Sequence, residues 1–415
     1  MKPYDVIVVG AGAAGLLAAY RSAMAENSVL LIEKMERPAR KLLITGKGRC
    51  NITNLSPVSE HLTHIFPDAR FLKNAYSRFF AKDIINLLEE HGVKTVTERG
   101  NRVFPASEKS ADVVNALLKL NQQHGVELLT NCKAKKILIR NGKVDGLLVE
   151  YQQKTSEFRC KKLILCTGGK SYPATGSTGD GYTLASHAGH AIVEPLPALV
   201  PLETGEETPM QMQGLALKNV TASLWVNDRK VTGEFGEMLF THFGLSGPII
   251  LTLSRKVVDE LRKNISVKII VDLKPALDDV QLDKRLIRDL EENAKKQLKH
   301  IFKLWLPSSM IPVFLSQLQI DETQAGSEVR SETRKKIRLM MKNFVFTVNG
   351  HRPFSEAVIT AGGVDCDEVD PKTMQSKLIE GLYFAGEILN LDADTGGYNL
   401  QIAWTTGWVA GSGER

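Results

Sequence analysis

Asp5-Val-Ile-Val-Val-Gly10-Ala-Gly12-Ala-Ala-Gly15, followed after a helical run by Val29-Leu-Leu-Ile-Glu33, is the part of this chain that decides its fold. Val6 to Val9 form a short apolar run of β-branched residues, the pattern of a strand buried on both faces. Gly10 permits a tight turn, Gly12 lets a pyrophosphate approach the backbone, and Gly15 lets a helix lie close to the strand. The helix is predicted from about Ala13 to Ala25, so the N–H groups around Ala13 and Ala14 face the phosphates. Glu33 ends the second strand 18 residues after Gly15. A carboxylate there accepts hydrogen bonds from an adenosine ribose and repels a 2′-phosphate. A lone GxGxxG is a weak signal; strand, helix, second strand and terminal acid in register make it a specific one.

Seven residues beyond Glu33 begins Arg40-Lys-Leu-Leu-Ile-Thr-Gly-Lys-Gly-Arg-Cys-Asn-Ile-Thr-Asn54, a polar, glycine-rich loop suited to line a flavin ring. Two later stretches carry related chemistry. The strand Leu163–Cys166 runs into Thr167-Gly168-Gly169, a small-residue turn where a sheet brings backbone against the cofactor, and glycines and hydroxyls continue to Gly181. Asp392-Ala-Asp-Thr-Gly-Gly397-Tyr-Asn-Leu-Gln401 opens an apolar helix ending near Ala410. Its N-terminus would aim a positive dipole end at the flavin N1/C2 carbonyl and favour the anionic reduced ring. An ordinary glycine-rich cap has no need of Tyr398, Asn399 and Gln401 together.

A chain of 415 residues suggests two domains or one elaborated domain. With 43% apolar and 24% charged residues it has the composition of a soluble globular protein. Met1-Lys-Pro-Tyr leads straight into the first strand without a signal-peptide pattern, and no apolar run approaches the roughly 20 residues that span a membrane. The expectation is a cytoplasmic protein without a membrane partner. The five cysteines show neither metal spacing nor a C-x-x-C pair, so no metal and no dithiol relay are expected. For Cys50 a packing role is favoured over a redox one. The net charge of +6 is local: residues 255–342 hold 19 Lys/Arg against 13 Asp/Glu, and the remainder balances. A solvated helix face is the favoured reading of that surplus, ahead of an anion or RNA contact surface.

The chain reads as discontinuous. Residues 1–194 form the first part of a cofactor domain, 195–340 an inserted substrate domain, and 341–415 the return segment. Helical patterns at Ala81–His91 and Ala111–His124 alternate with strands near Val93–Thr97 and Val126–Leu129. Asn141-Gly142 marks a hairpin between Ala134–Ile139 and Val144–Tyr151. Pro195, Pro197 and Pro201 mark a linker into strands Thr221–Val226 and Ser266–Val271 and the charged helices. Phe344–Val348, Ala357–Val364 and Gly381–Glu387 read as cofactor-domain sequence again.

The motifs Gly-Lys-Gly-Arg-Cys-Asn-Ile-Thr-Asn, Gly-Gly-Lys-Ser-Tyr-Pro-Ala-Thr-Gly-Ser-Thr-Gly-Asp-Gly, Thr-Ala-Gly-Gly-Val and Gly-Gly-Tyr-Asn-Leu-Gln, in this order over nearly the whole chain, resemble the BaiN-like family of bacterial flavoproteins, the NAD(P)/FAD-dependent or aminoacetone-oxidase-like oxidoreductases. The resemblance implies an α/β fold: a glutathione-reductase-type, Rossmann-like FAD domain with an inserted β-barrel plus helical substrate domain, and non-covalent FAD. Carried over by motif, Gly10, Gly12 and Gly15 hold the pyrophosphate, and Glu33 and Lys34 the adenosine. Lys41, Gly46, Gly48, Arg49, Cys50 and Asn51 approach the flavin or ribityl chain, and Ala134 offers its backbone to the adenine. Gly386, Glu387, Gly397, Tyr398 and Asn399 surround the flavin and its phosphates. Lys47 departs from the pattern, standing where relatives carry a small residue.

The function expected is hydride transfer between flavin N5 and a small organic substrate, with NAD(P)H as a candidate reductant bound without a second Rossmann domain. The family links both to amine oxidation and to enone reduction, so substrate and acceptor stay open, as does oligomeric state. The alternatives are an FAD-dependent RNA-modifying enzyme, nucleic acid being the less favoured partner, and a non-catalytic flavin-binding protein. No general base is assigned; His242, in Phe240-Thr-His-Phe-Gly-Leu-Ser-Gly-Pro248, is read as structural ahead of catalytic.

Overall fold

Val6, Ile7, Val8 and Val9 are all buried, which fits a strand covered on both faces. In the computed structural model, which describes residues 3–412, β1 (Tyr4–Val9) pairs in parallel with β2 (Val29–Ile32) on one side. On the other side it pairs with the end of a long strand, Lys154–Leu165. Glu127–Leu129 adds in parallel outside β2, and Leu382–Phe384 pairs with Leu163–Leu165. The lower half of Lys154–Leu165 runs antiparallel to Lys143–Tyr151, which in turn pairs with Cys132–Arg140. Asn141 and Gly142 have φ of 52° and 73°, as a tight hairpin of this kind demands. A second hairpin turns at Gln152 and Gln153, also left-handed, with φ of 50° and 60°. Nothing in a Gln-Gln pair announces such a turn, so the sequence reading found only the last residues of the long strand.

α1 (Ala13–Ala23) crosses back from β1 and is covered by the C-terminal helix Tyr398–Ser412. Those two helices approach closely because their facing residues are small. A Cβ on Gly407 would come 2.4 Å from the Ala14 carbonyl oxygen, and one on Gly411 would come 2.6 Å from that of Ala18.

The chain divides into two compact units, one running to Ala198 and resuming at Phe354, the other Leu199–Pro353. The second unit is a closed six-stranded barrel in the order Leu202–Thr204, Gly244–Ser246, Arg229–Phe240, Ala216–Val226, Val267–Asp272 and Phe344–His351, which pairs back to the first. Leu224, Phe240, Ile269 and Phe346 fill its core, joined by residues from the helices Pro248–Arg262, Asp279–Glu292 and Ser331–Lys342. Two boundaries differ from the sequence reading. Phe344–His351, expected in the return segment, closes the barrel; Phe344, Phe346 and Val348 alternate inward as a barrel wall requires. Ile192–Ala198, read as the start of the insertion, stays with the first unit as an antiparallel partner of Ile359–Val364. Pro195 and Pro197 are tolerated there because the pairing is two-stranded and its register shifts between Val193 and Leu196.

Candidate functional site

The three fingerprint glycines serve different ends. At Gly10 φ is +99°, and a Cβ would lie 2.5 Å from the Cys166 carbonyl oxygen. At Gly15 a Cβ would lie 1.8 Å from the Gly10 carbonyl oxygen, so helix and strand meet with no room for a methyl group. Gly12 is different: its backbone (φ −86°, ψ −165°) suits any residue, and a Cβ there would meet nothing within 4 Å. The position at the N-terminus of α1 therefore opens onto space that the protein itself does not fill, where main-chain N–H groups favour an anion.

Glu33 bounds this space. Its Oε2 accepts from the Ala11 N–H (3.0 Å) and its Oε1 from the Met35 N–H (2.9 Å), while burial pushes its pKa up. The Glu33 carbonyl accepts from the Cys132 N–H at 2.9 Å, which brings the strand carrying Ala134 beside the end of β2. Lys34 is tied to the start of the helix Asp180–His187 and the loop before it, with Nζ 2.8 Å from Asp180 and 2.7 Å from Thr178 Oγ1. Thr167, Gly168 and Gly169 follow Leu165 and Cys166, with Gly168 at φ +70°. A Cβ on Gly169 would sit 2.4 Å from Thr360 Oγ1, and one on Gly386 2.9 Å from the Ala14 methyl.

Four distant segments then meet in one polar cluster. Lys41 Nζ donates to Glu387 Oε2 at 2.6 Å and to Ser171 Oγ. Glu387 Oε1 accepts from Ser171 Oγ (2.7 Å) and from the Thr360 N–H (2.9 Å). Thr360 Oγ1 accepts the N–H groups of Lys170 and Ser171 at 2.8 and 3.0 Å. Ser171 and Thr360 are fully buried, and neither was singled out from the sequence although both stand in its quoted motifs.

The loop after Lys41 is held in an unusual shape: Gly46, Lys47, Gly48 and Cys50 all have positive φ, between 56° and 85°. Arg49 turns to the strands Thr95–Glu98 and Arg102–Pro105, where it pairs with Glu98 and Glu108 and lies over the Phe104 ring at 4.3 Å. Its charge is thus engaged by two carboxylates. Cys50 is fully buried and burial pushes its thiol up to about 12, so it stays protonated and unreactive at neutral pH.

At the start of the C-terminal helix, Gly396 and Gly397 take φ of 132° and 103°, and a Cβ on Gly397 would strike the Thr53 carbonyl group at 2.5 Å. Asn399 clamps the preceding loop, accepting from the Ala393 N–H (2.9 Å) and donating to its carbonyl (2.7 Å). Thr53 Oγ1 donates to Gln401 Oε1 at 2.6 Å. Tyr398 is buried between His61 and His64. His61, His64 and Asp394 escaped the sequence reading.

Two buried oxygens at these expected contact positions, Asn51 Oδ1 and Thr167 Oγ1, have no protein partner. Unpaired buried polar atoms are costly and rare, so they fit a polar ligand such as FAD. Other constellations fall away. His242 is exposed and meets the Phe243 ring at 4.9 Å. His190 bridges Glu368 (2.9 Å) and Ser376 (2.8 Å), but its side chain is fully covered and Ser376 Oγ already accepts from the N–H groups of Leu378 and Ile379. That trio closes a turn. Among the described residues no group of three or more His, Cys, Asp or Glu could hold a metal ion, and no helix is long and apolar enough to cross a membrane.

The parallel sheet, its glycine turn and the residues gathered around it define a Rossmann-like FAD-binding domain of the flavin oxidoreductase class. The chain belongs to the family described as HI0933-like protein Rossmann domain, whose model matches residues 4–413. It is 30% identical over 407 residues to the ribosomal RNA dihydrouridine synthase of Haemophilus influenzae, covering 97% of this chain and 96% of that one. It is 28% identical over 406 residues to the 3-dehydro-bile acid delta(4,6)-reductase of Clostridium scindens, covering 97% of each. Among solved structures it resembles the open conformation of a flavocytochrome c3 fumarate reductase (TM-score 0.50, 17% identity, 99% of this chain and 78% of that one). It also resembles the 3-ketosteroid delta1-dehydrogenase of Sterolibacterium denitrificans (TM-score 0.51, 14% identity, 99% of both). At such identities these structures speak to the fold alone.

Proposed function

We propose that this chain is an FAD-dependent reductase acting on a carbon–carbon double bond conjugated to a carbonyl group. The observation that carries the reading is the open position at Gly12, framed by residues that fit FAD, in a chain that matches its relatives end to end. The names of those relatives supply the bond type. A 3-dehydro-bile acid with delta(4,6) unsaturation and the uracil ring of RNA differ in size and polarity, yet each presents an alkene polarised by a carbonyl.

When bound, FAD would supply hydride chemistry at its N5, and NAD(P)H is the proposed reductant. Gly10, Gly12, Ala13, Ala14 and Gly15 would hold the pyrophosphate, and Glu33, Lys34 and Ala134 the adenosine. Thr167 to Gly169 would bring backbone against the cofactor, and Gly386 and Glu387 would stand near the flavin and its phosphates. Lys41, Gly46, Gly48 and Asn51 would approach the ring or ribityl chain and Gly397, Tyr398 and Asn399 the flavin, while Arg49 and Cys50 contribute through the shape of their loop. The test is anaerobic: NADH or NADPH reduces the bound flavin, and the flavin band returns on adding a steroid 3-ketone with conjugated double bonds or unmodified ribosomal RNA. Reoxidation by oxygen alone would sink the proposal.

The RNA substrate has one structural observation in its favour. Lys284, Lys295, Lys296, Lys303 and Lys335 of the barrel unit are exposed without an acidic partner among the described residues. Arg334 and Arg338 nearby are instead engaged by Asp283 and Asp279. Free lysines of this kind bind phosphates, and retention of RNA that falls steeply with salt is the expected sign.

A further inference from the structure

We propose that His64 and Asp394 form a proton-linked pair that sets the redox potential of the flavin, an inference that rests on FAD occupying the site above. His64 immediately precedes the short strand Ile65–Phe66, and Asp394 immediately follows Asp392–Ala393; these strands pair antiparallel, Phe66 with Asp392 and Ile65 with Ala393. The Asp394 N–H donates to the His64 carbonyl at 3.0 Å, so the two residues face each other across a defined register. Their side chains complete the link, Nδ1 to Oδ2, at 2.9 Å. The imidazole stacks on Tyr398, the first residue of the C-terminal helix, with ring centroids 4.4 Å apart and planes 17° from parallel.

This pair stands beside the part of the site expected to meet the ring. Asp394 lies three residues before Gly397, and Gly397 is in contact with Thr53, two residues beyond Asn51 and its unpartnered buried oxygen. The Asp394 side chain is 16% exposed and that of His64 33%, so the carboxylate is largely covered while the imidazole can exchange protons with water. Ionisable groups beside the pair include Glu60, His61, Asp392 and Tyr398. Glu60 is exposed to solvent. His61 is fully buried and bonded through Nε2 to the Asn54 carbonyl; burial lowers its pKa and keeps it neutral. Burial raises the Tyr398 phenol, which also stays neutral. Asp392 is buried on the paired strand. The charge change near neutral pH is assigned to the imidazole of His64, the part-exposed member of the hydrogen-bonded pair.

With His64 protonated, the pair carries no net charge. With His64 neutral, a negative charge is left near the helix N-terminus that would otherwise favour electrons on the ring. Reduction of the bound cofactor therefore favours proton uptake on His64, and by linkage a lower pH favours reduction beyond the flavin's own proton dependence.

The experiment is an anaerobic redox titration of the flavin-loaded protein against reference dyes, from about pH 5 to about pH 8, the window in which histidine titrates. The wild-type plot of potential against pH should show an added break in slope. His64→Gln should lose it while still binding FAD, Asp394→Asn should move it to lower pH, Asp394→Glu should keep it, and Glu60→Gln should leave it in place. If His64→Gln and Asp394→Asn prove too unstable to load, loss of the break in Asp394→Glu overturns the proposal. So does a wild-type plot without a break, a break that survives His64→Gln, or one abolished by Glu60→Gln alone. A wild-type protein that takes up no FAD fails earlier and separately, at the functional reading itself.

Discussion

Gly12 and Gly15 lie three residues apart in one motif, yet the structure separates their roles sharply enough to be measured. A methyl group on Gly15 would be 1.8 Å from the Gly10 carbonyl oxygen, a fixed backbone atom, so α1 and β1 must part. Overpacking of this kind costs about 1–3 kcal/mol, and a clash with backbone belongs at the upper end. A methyl group on Gly12 meets nothing. Two small terms act there: restricting the unfolded chain adds about 0.4–1 kcal/mol, and alanine is a poorer helix N-cap than glycine by a comparable amount. Gly12→Ala should therefore leave the flavin-free protein within about 0.5 kcal/mol of wild type. It should nevertheless weaken FAD binding at least about tenfold, or 1.4 kcal/mol, because on the proposed placement the new methyl would stand where the pyrophosphate approaches. Gly12→Glu should be colourless. Stability is read from urea unfolding of the flavin-free proteins, and affinity from quenching of flavin fluorescence. The reasoning is refuted if flavin-free Gly12→Ala unfolds as early as Gly15→Ala, or if it binds FAD as tightly as wild type.

Lys47 is held in the left-handed region at φ 59° and ψ 38°, so Lys47→Gly should raise the urea midpoint, by about 0.5 kcal/mol after the larger chain entropy of glycine is subtracted. Lys41→Met should destabilise by up to about 3 kcal/mol by leaving Glu387 uncompensated; the double variant Lys41→Met/Glu387→Gln should recover more than half of it, and a purely additive result would contradict the cluster described here. Cys50 should resist a thiol reagent at about pH 8 until the protein is unfolded, since burial keeps it protonated. Burial also lowers the pKa of His190 and His61. As pH falls through about 6.5 the unfolded chain takes these protons first, so stability should be complete above that value and decline toward about pH 5. His190→Gln should flatten the slope of urea midpoint against pH in that window, and an unchanged slope would count against the assignment.

The β1–α1–β2 unit was legible because its information is local: a four-residue apolar run, three glycines at fixed offsets and a terminal acid all lie within 33 residues. The full length of Lys154–Leu165 was not, because the turn at Gln152-Gln153 uses residues that do not advertise a left-handed backbone. The alternation in Phe344–His351 fits any half-buried strand, and only its partners assign it to the barrel. Prolines that read as a linker sit in a two-stranded pairing. At the site, the glycine loops stood out by composition, whereas Lys41 and Glu387 are 346 positions apart and His64 and Asp394 are 330 apart. Pairs at such separations leave no spacing signature in a single sequence, and Ser171 and Thr360 looked like ordinary hydroxyl residues within larger motifs.

The interruption of the first unit by the barrel has a temporal side. α1 is translated early, but the helix that covers Ala14 and Ala18 follows only after Leu199–Pro353 has been made. At 5–20 residues per second, ribosomes need roughly 20 to 75 seconds for that interval. During it the face of α1 that later meets Gly407 and Gly411 lacks its covering helix. On the proposed site, which draws on Gly397 to Asn399, cofactor capture would follow synthesis of the whole chain, and in cells short of riboflavin the completed barrel would be expected to survive proteolysis longer than the unit that surrounds it in sequence.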